Sequence, residues 1–126
     1  MSVKISPQAI VSTKAILDEG VEIGPFAVVE DNVRIGKNTK IYPYVHLAGY
    51  TTIGQDCKIF SSAVIGSAPQ DLKYKDCVSY VNIGDNNIIR EFVTVNPGTN
   101  EGEYTTIGSN NLIMAYYGSL KKSNER

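Results

Sequence analysis

Few residues of this chain have side chains suited to catalysis. His46 is its one histidine. An imidazole titrates near neutrality and can act as a general base. One imidazole cannot, however, build a zinc centre that needs three. His46 follows Val45 outside the chain's aliphatic column and is expected to face outward as a surface side chain. Two cysteines, Cys57 and Cys77, do not suggest a disulfide framework. Cys57 falls where small core residues recur and reads as a core filler. Cys77 falls in an irregular stretch and reads as a free thiol at or near the surface. That stretch, residues 67–80, includes Pro69-Gln70-Asp71-Leu72-Lys73-Tyr74 and is polar, charged and aromatic. Loops of this kind on a rigid scaffold are where binding residues concentrate, although a solvated decorative loop has the same composition. A second irregular stretch reads Asn96-Pro97-Gly98-Thr99-Asn100-Glu101-Gly102-Glu103, and its Pro-Gly step marks a turn.

The elements that must hold these residues follow a six-residue rhythm. Ile5, Val11, Leu17, Ile23, Val29, Ile35, Ile41, Leu47, Ile53, Ile59 and Ile65 stand six apart without a break. The phase skips, returns at Ile83, Ile89 and Val95, skips again, and returns at Ile107 and Ile113. A period of six fits neither a helix of 3.6 residues per turn nor simple alternation. It fits a solenoid in which each hexad is one short strand and a corner, three hexads to a coil, and about five coils in all. Two residues before each aliphatic from Val11 to Ile65 lies a small or β-branched one: Ala9, Ala15, Val21, Ala27, Val33, Thr39, Val45, Thr51, Cys57 and Ala63. Residues two apart in an extended segment share a face, so both columns point into the core. Gly24, Gly36, Gly54, Gly66, Gly84 and Gly108 each follow an aliphatic, and the sequence reading assigns them the unusual dihedrals of a tight corner. The fold class is therefore all-β, a parallel β-helix over residues 1–114 with two external loops. A polar tail, residues 115–126, is expected to fray.

Composition narrows the functional classes. A formal net charge of −1 over 126 residues gives no basic footprint for nucleic acid or anionic membrane. Met1-Ser2-Val3-Lys4 leads into the hexads with no apolar stretch, so the expected location is cytoplasmic, with no membrane span. Thr51-Thr52 and Thr105-Thr106 are adjacent pairs whose members point to opposite faces, which excludes the flat threonine ladder of an ice-binding β-helix.

The hexads, with Ile65-Gly66, Gln70-Asp71-Leu72-Lys73-Tyr74, the run Ile83-Gly84-Asp85-Asn86-Asn87-Ile88-Ile89-Arg90-Glu91-Phe92-Val93-Thr94-Val95, Asn96-Pro97-Gly98-Thr99, and Asn110-Asn111-Leu112-Ile113-Met114, resemble one family. It is the family of hexapeptide-repeat O-acyltransferases that acylate UDP-N-acetylglucosamine in the first step of lipid A synthesis. The resemblance covers residues 1 to about 116 and corresponds to the N-terminal portion of the family's usual length. It implies a left-handed coil, against the usual right-handed crossover. It also implies a homotrimer with active sites between subunits, no cofactor, no metal, and acyl carrier protein and UDP-N-acetylglucosamine as partners. By the same resemblance Gln70, Asp71, Leu72, Lys73 and Asn96 contact substrate. The family's base is a histidine acting on the sugar 3-hydroxyl, while a backbone N–H stabilises the oxyanion.

One departure bears on activity. Where the family continues Ala-His-Ile-Ala-His-Asp-Cys, this chain has Ala115-Tyr116-Tyr117-Gly118-Ser119-Leu120-Lys121-Lys122. Lys121 stands at the expected general-base position, and a lysine with a pKa near 10.4 is a poor base at neutral pH. The expected function is that of an N-terminal fragment of the acyltransferase, inactive alone. The alternatives are a non-catalytic β-helical scaffold and a hexapeptide acyltransferase of other specificity.

Overall fold

A computed structural model describes residues 2–67 and 78–115. Among them sixteen short strands form three parallel sheets. Sheet A holds β1 (Lys4–Ile5), β4 (Glu22–Ile23), β7 (Lys40–Ile41), β10 (Lys58–Ile59), β13 (Ile88–Ile89) and β16 (Leu112–Ile113). Sheet B holds β2 (Ile10–Val11), β5 (Val28–Val29), β8 (His46–Leu47), β11 (Val64–Ile65) and β14 (Thr94–Val95). Sheet C holds β3 (Ile16–Leu17), β6 (Arg34–Ile35), β9 (Tyr50–Ile53), β12 (Tyr80–Ile83) and β15 (Tyr104–Ile107). Each coil visits A, B and C in turn, and each strand pairs with its counterpart one coil away. The register joins Ile5 to Ile23, Ile23 to Ile41 and Ile41 to Ile59, eighteen residues per coil. The next two coils join Ile59 to Ile89 and Ile89 to Ile113, so the two excursions add twelve and six residues without disturbing the stack.

Both inward columns are buried. Val21, Ala27, Val33, Val45, Cys57, Ala63 and Thr39 have no exposed surface, and Ile35, Ile53, Ile59 and Ile65 are buried with them. Ile5 occupies the same phase but lies in the first coil and is 44% exposed. Thr51 and Thr105 point inward while Thr52 and Thr106 point out, as alternation requires.

The glycine column has a different cause from the one the sequence suggested. Of its members only Gly66 has a positive φ. The left-handed corner residues are Gly20, Asn38, Asp56, Asn86 and Asn110 between sheets C and A, and Phe26, Tyr44, Ser62 and Phe92 between sheets A and B. At Gly36, Gly54, Gly66 and Gly84 successive coils approach too closely for a side chain. A Cβ on Gly36 would sit 2.6 Å from the carbonyl carbon of Gly54, and one on Gly84 would sit 2.9 Å from the carbonyl oxygen of Gly108.

This close approach supports an internal polar ladder at the C–A corner. Thr39 Oγ1 donates to the Gly54 carbonyl (2.8 Å) and accepts from the Cys57 amide (3.1 Å). Asn87 Nδ2 donates to the Gly108 carbonyl (2.7 Å), and Asn87 Oδ1 accepts from the Asn111 amide (2.8 Å). Each rung links one coil to the next, so a buried polar side chain is satisfied without water. Asn111 occupies the next rung, and its Nδ2 has no partner among the described residues.

Candidate functional site

Both loops leave the β-helix at the same corner, between sheets B and C, in adjacent coils. One coil below, that corner consists of Ala48 and Gly49 alone, between β8 and β9. Thr51 Oγ1 closes it by donating to the Ala48 carbonyl (2.7 Å). Gly66, at the root of the first loop, packs against that turn so closely that a Cβ would collide with Ala48 O and Thr51 Oγ1. Its amide donates to the Val95 carbonyl (2.8 Å), which fixes the loop's departure relative to the coil above.

The second loop is clasped to the return of the first. Ser79 is buried, and its hydroxyl donates to the Gly98 carbonyl (2.7 Å). The Val78 amide donates to Glu101 Oε1 (3.0 Å), and the Gly102 amide returns a bond to the Val78 carbonyl (2.7 Å). Glu103 Oε1 accepts from the Asn100 amide (3.2 Å). Glu101 and Glu103 therefore organise backbone. Asn96 begins this loop, half-buried, and its carbonyl accepts from Thr105 Oγ1 (2.9 Å). These clasping residues carry no periodic signal in the sequence, because the loops lie outside the hexad phase.

Of the residues expected to bind substrate, Asn96 lies at this corner. Gln70, Asp71, Leu72 and Lys73 lie outside the described residues, as do Cys77, Lys121 and the tail from Tyr116 onward. His46 faces outward on β8, two strands from β14 in sheet B. Its Nε2 lies 2.7 Å from Glu30 Oε2, with both side chains about half exposed. Cys57 is unsuited to nucleophilic work. Burial pushes its thiol up from the ordinary value, leaving little thiolate at neutral pH.

Elsewhere, an open groove of about 690 Å³ lies over Lys4, Glu22, Gly24, Lys40 and Tyr42 on the outer side of sheet A. It is a full face away from the loop corner. Among the described residues no three His, Cys, Asp or Glu side chains gather in a way that could hold a metal ion. No helix there is long and apolar enough to cross a membrane.

Comparison with known proteins agrees with this geometry. Residues 32–74 match the bacterial transferase hexapeptide (six repeats) family. A protein from Helicobacter pylori, named acyl-(acyl-carrier-protein)–UDP-N-acetylglucosamine O-acyltransferase, is 57% identical over 114 residues, covering 90% of this chain and 42% of the relative. A protein of the same name from Rippkaea orientalis is 65% identical over 57 residues, covering 45% of this chain and 21% of the relative. The crystal structure of a UDP-N-acetylglucosamine acyltransferase superposes with a TM-score of 0.89 at 46% identity, covering 94% of this chain and 46% of that one. The Francisella novicida enzyme of that name gives 0.88 at 41% identity, covering 94% and 43%. The chain thus spans less than half the length of the proteins it matches. The fold is the left-handed parallel β-helix.

Proposed function

We propose that this chain, which resembles the UDP-N-acetylglucosamine O-acyltransferases along nine-tenths of its length, supplies the substrate-binding coils of such an enzyme. The reaction would move a hydroxyacyl group from acyl carrier protein to the 3-hydroxyl of UDP-N-acetylglucosamine, in the cytoplasm, within a homotrimer. The thioester C–S bond breaks, an ester C–O bond forms, and the hydroxyl proton passes to a base and then to the departing thiolate, which leaves as the thiol. Gln70, Asp71, Leu72 and Lys73, with Asn96 at the start of the second loop, would grip the acyl chain and the sugar nucleotide. A carboxylate accepts from sugar hydroxyls, and an ammonium donates to polar acyl groups.

The observation that carries this reading is the pairing of structural likeness along 94% of this chain with two loops rooted at one corner. By the same resemblance the chain lacks the family's histidine base: Lys121 would stand at its position, and a lysine with the ordinary pKa near 10.4 is a poor base at neutral pH. Incubating the purified chain with UDP-N-acetylglucosamine and 3-hydroxyacyl carrier protein is therefore expected to give no O-acylated sugar nucleotide by mass spectrometry. Product above the protein-free background would show that another group serves as base, and would overturn the assignment of an inactive portion.

A further inference from the structure

Sheet C changes character along the solenoid. Its two lowest strands, β3 and β6, have two residues each. The next three, β9, β12 and β15, have four, and each begins with a tyrosine: Tyr50, Tyr80 and Tyr104. The register pairs Tyr50 with Tyr80 and Tyr80 with Tyr104. In the two coils below, Lys14 and Asn32 hold the corresponding position, two residues ahead of the Ile16–Arg34 pair. The column therefore turns aromatic, and its strands lengthen, one coil below the first loop and onward to the second. Residues in register on one outer face stand about 4.8 Å apart, within reach of ring contact.

The rings make that contact. Tyr80 and Tyr104 stack with centroids 4.7 Å apart and planes at 21°, and Tyr50 meets Tyr80 edge to face at 5.6 Å and 65°. Both are favoured aromatic geometries. Tyr80 is half-buried between the other two, which are 41% and 52% exposed. Tyr50 follows the short Ala48-Gly49 turn, Tyr80 follows the first loop and Tyr104 follows the second. The backbone at Tyr80 is where the two loops meet. Its amide donates to the Glu103 carbonyl (2.9 Å), beside the Ser79–Gly98 bond and the two bonds that join Val78 to Glu101 and Gly102. None of these bonds between the loops reaches the coil below. The contact of the Tyr80 ring with Tyr50 does.

We infer that Tyr80 is a positioning residue for the loop corner. Its ring, held between Tyr50 on the coil without an excursion and Tyr104 at the end of the second loop, fixes the return of the first loop and the whole second loop as one unit. A segment held by solvent-exposed hydrogen bonds opens locally at low cost. The clasp is of that kind, since Glu101 and Gly102 are exposed. Two ring contacts on one side chain oppose that opening. Stiffness at this corner matters because a binding group misplaced by about 1 Å can cost about a hundredfold in rate. That the loops hold substrate rests on the function proposed above; that Tyr80 holds the loops does not.

Amide hydrogen exchange of the full chain, read residue by residue by NMR, tests this. In Tyr80→Ala the Val78 and Gly102 amides are expected to exchange about tenfold faster or more. The Ile16 and Val28 amides, which donate to the Val33 and Val45 carbonyls in the lower coils, are expected to stay within about twofold of the wild type, because distant coils of a solenoid open independently. Tyr80→Phe keeps the ring and is expected to restore wild-type exchange at Val78 and Gly102. Asn82→Ala, two residues further along the same outer row, is expected to leave both unchanged. If Tyr80→Ala does not fold, Tyr104→Ala, which removes only the upper contact, is read in the same way. A folded Tyr80→Ala with wild-type exchange at Val78 and Gly102 would overturn the inference. So would an acceleration that spreads equally to Ile16 and Val28, or a Tyr80→Phe variant that behaves like Tyr80→Ala. Failure of acyl transfer would count against the function proposed above and leave this exchange pattern as it is.

Discussion

Ile59→Ala is expected to destabilise the β-helix by about 2–5 kcal/mol, seen as a lower midpoint in chemical denaturation. Ile59 lies in the fourth coil of sheet A with no exposed surface, paired to Ile41 below and Ile89 above. Its removal leaves a cavity that its neighbours cannot close, because their backbones are bonded to one another coil by coil. A solenoid adds a further penalty, since each coil touches only its neighbours and a weak coil divides the stack. Ile5→Ala is the internal control. Ile5 occupies the same hexad phase, but it is 44% exposed in the first coil. The loss there is expected to be about 1 kcal/mol or less, since only part of the side chain leaves an apolar environment. Equal losses at the two positions would mean that the coils do not stack in the observed order.

Gly36→Ala carries the second large effect, a loss of about 1–3 kcal/mol and a Tm lower by roughly 5–15 °C. The three nearest atoms to the new Cβ are Gly54 C at 2.6 Å, Gly54 O at 2.7 Å and Gln55 N at 2.8 Å. All belong to backbone, so no side chain can swing aside, and the two coils must separate. Gly102→Ala tests the opposite cause. There a Cβ meets nothing within 4 Å, but φ is +75°. Its penalty is conformational alone, about 1 kcal/mol, and local to the second loop. If Gly36→Ala proved as mild as Gly102→Ala, coil spacing would not be what keeps glycine in that column.

The hexad phase makes most of the fold legible because one physical requirement, an apolar side chain at each strand, is repeated at a fixed interval. It places Ile35, Leu47, Ile53 and Ile65 in the core and the second loop outside the strands, where the structure has them. The left-handed positions were not legible. At the C–A corners they fall on Gly, Asn or Asp, but at the A–B corners they fall on Phe26, Tyr44, Ser62 and Phe92, where no residue type marks them. The glycine column was found by its spacing but given the wrong cause, since contact between coils is invisible along one hexad. At the candidate site, phase located the loops but not their clasp. Ser79, Glu101 and Gly98 stand at no repeating interval, and only folding brings them within hydrogen-bond reach. The pairing of His46 with Glu30 was missed for the same reason, although the two lie at neighbouring coils of one face.

The central claim is that residues 2–115 form the working substrate-binding coils of a UDP-N-acetylglucosamine acyltransferase. A chimera tests it most directly, with residues 2–115 replacing the matching stretch of the Helicobacter pylori relative, to which this chain is 57% identical. The relative then contributes everything that follows. The account predicts that the purified chimera transfers a hydroxyacyl group from acyl carrier protein to UDP-N-acetylglucosamine, and that adding Asp71→Ala lowers kcat/KM about tenfold or more. A chimera that folds and assembles like the relative yet transfers no acyl group would contradict it.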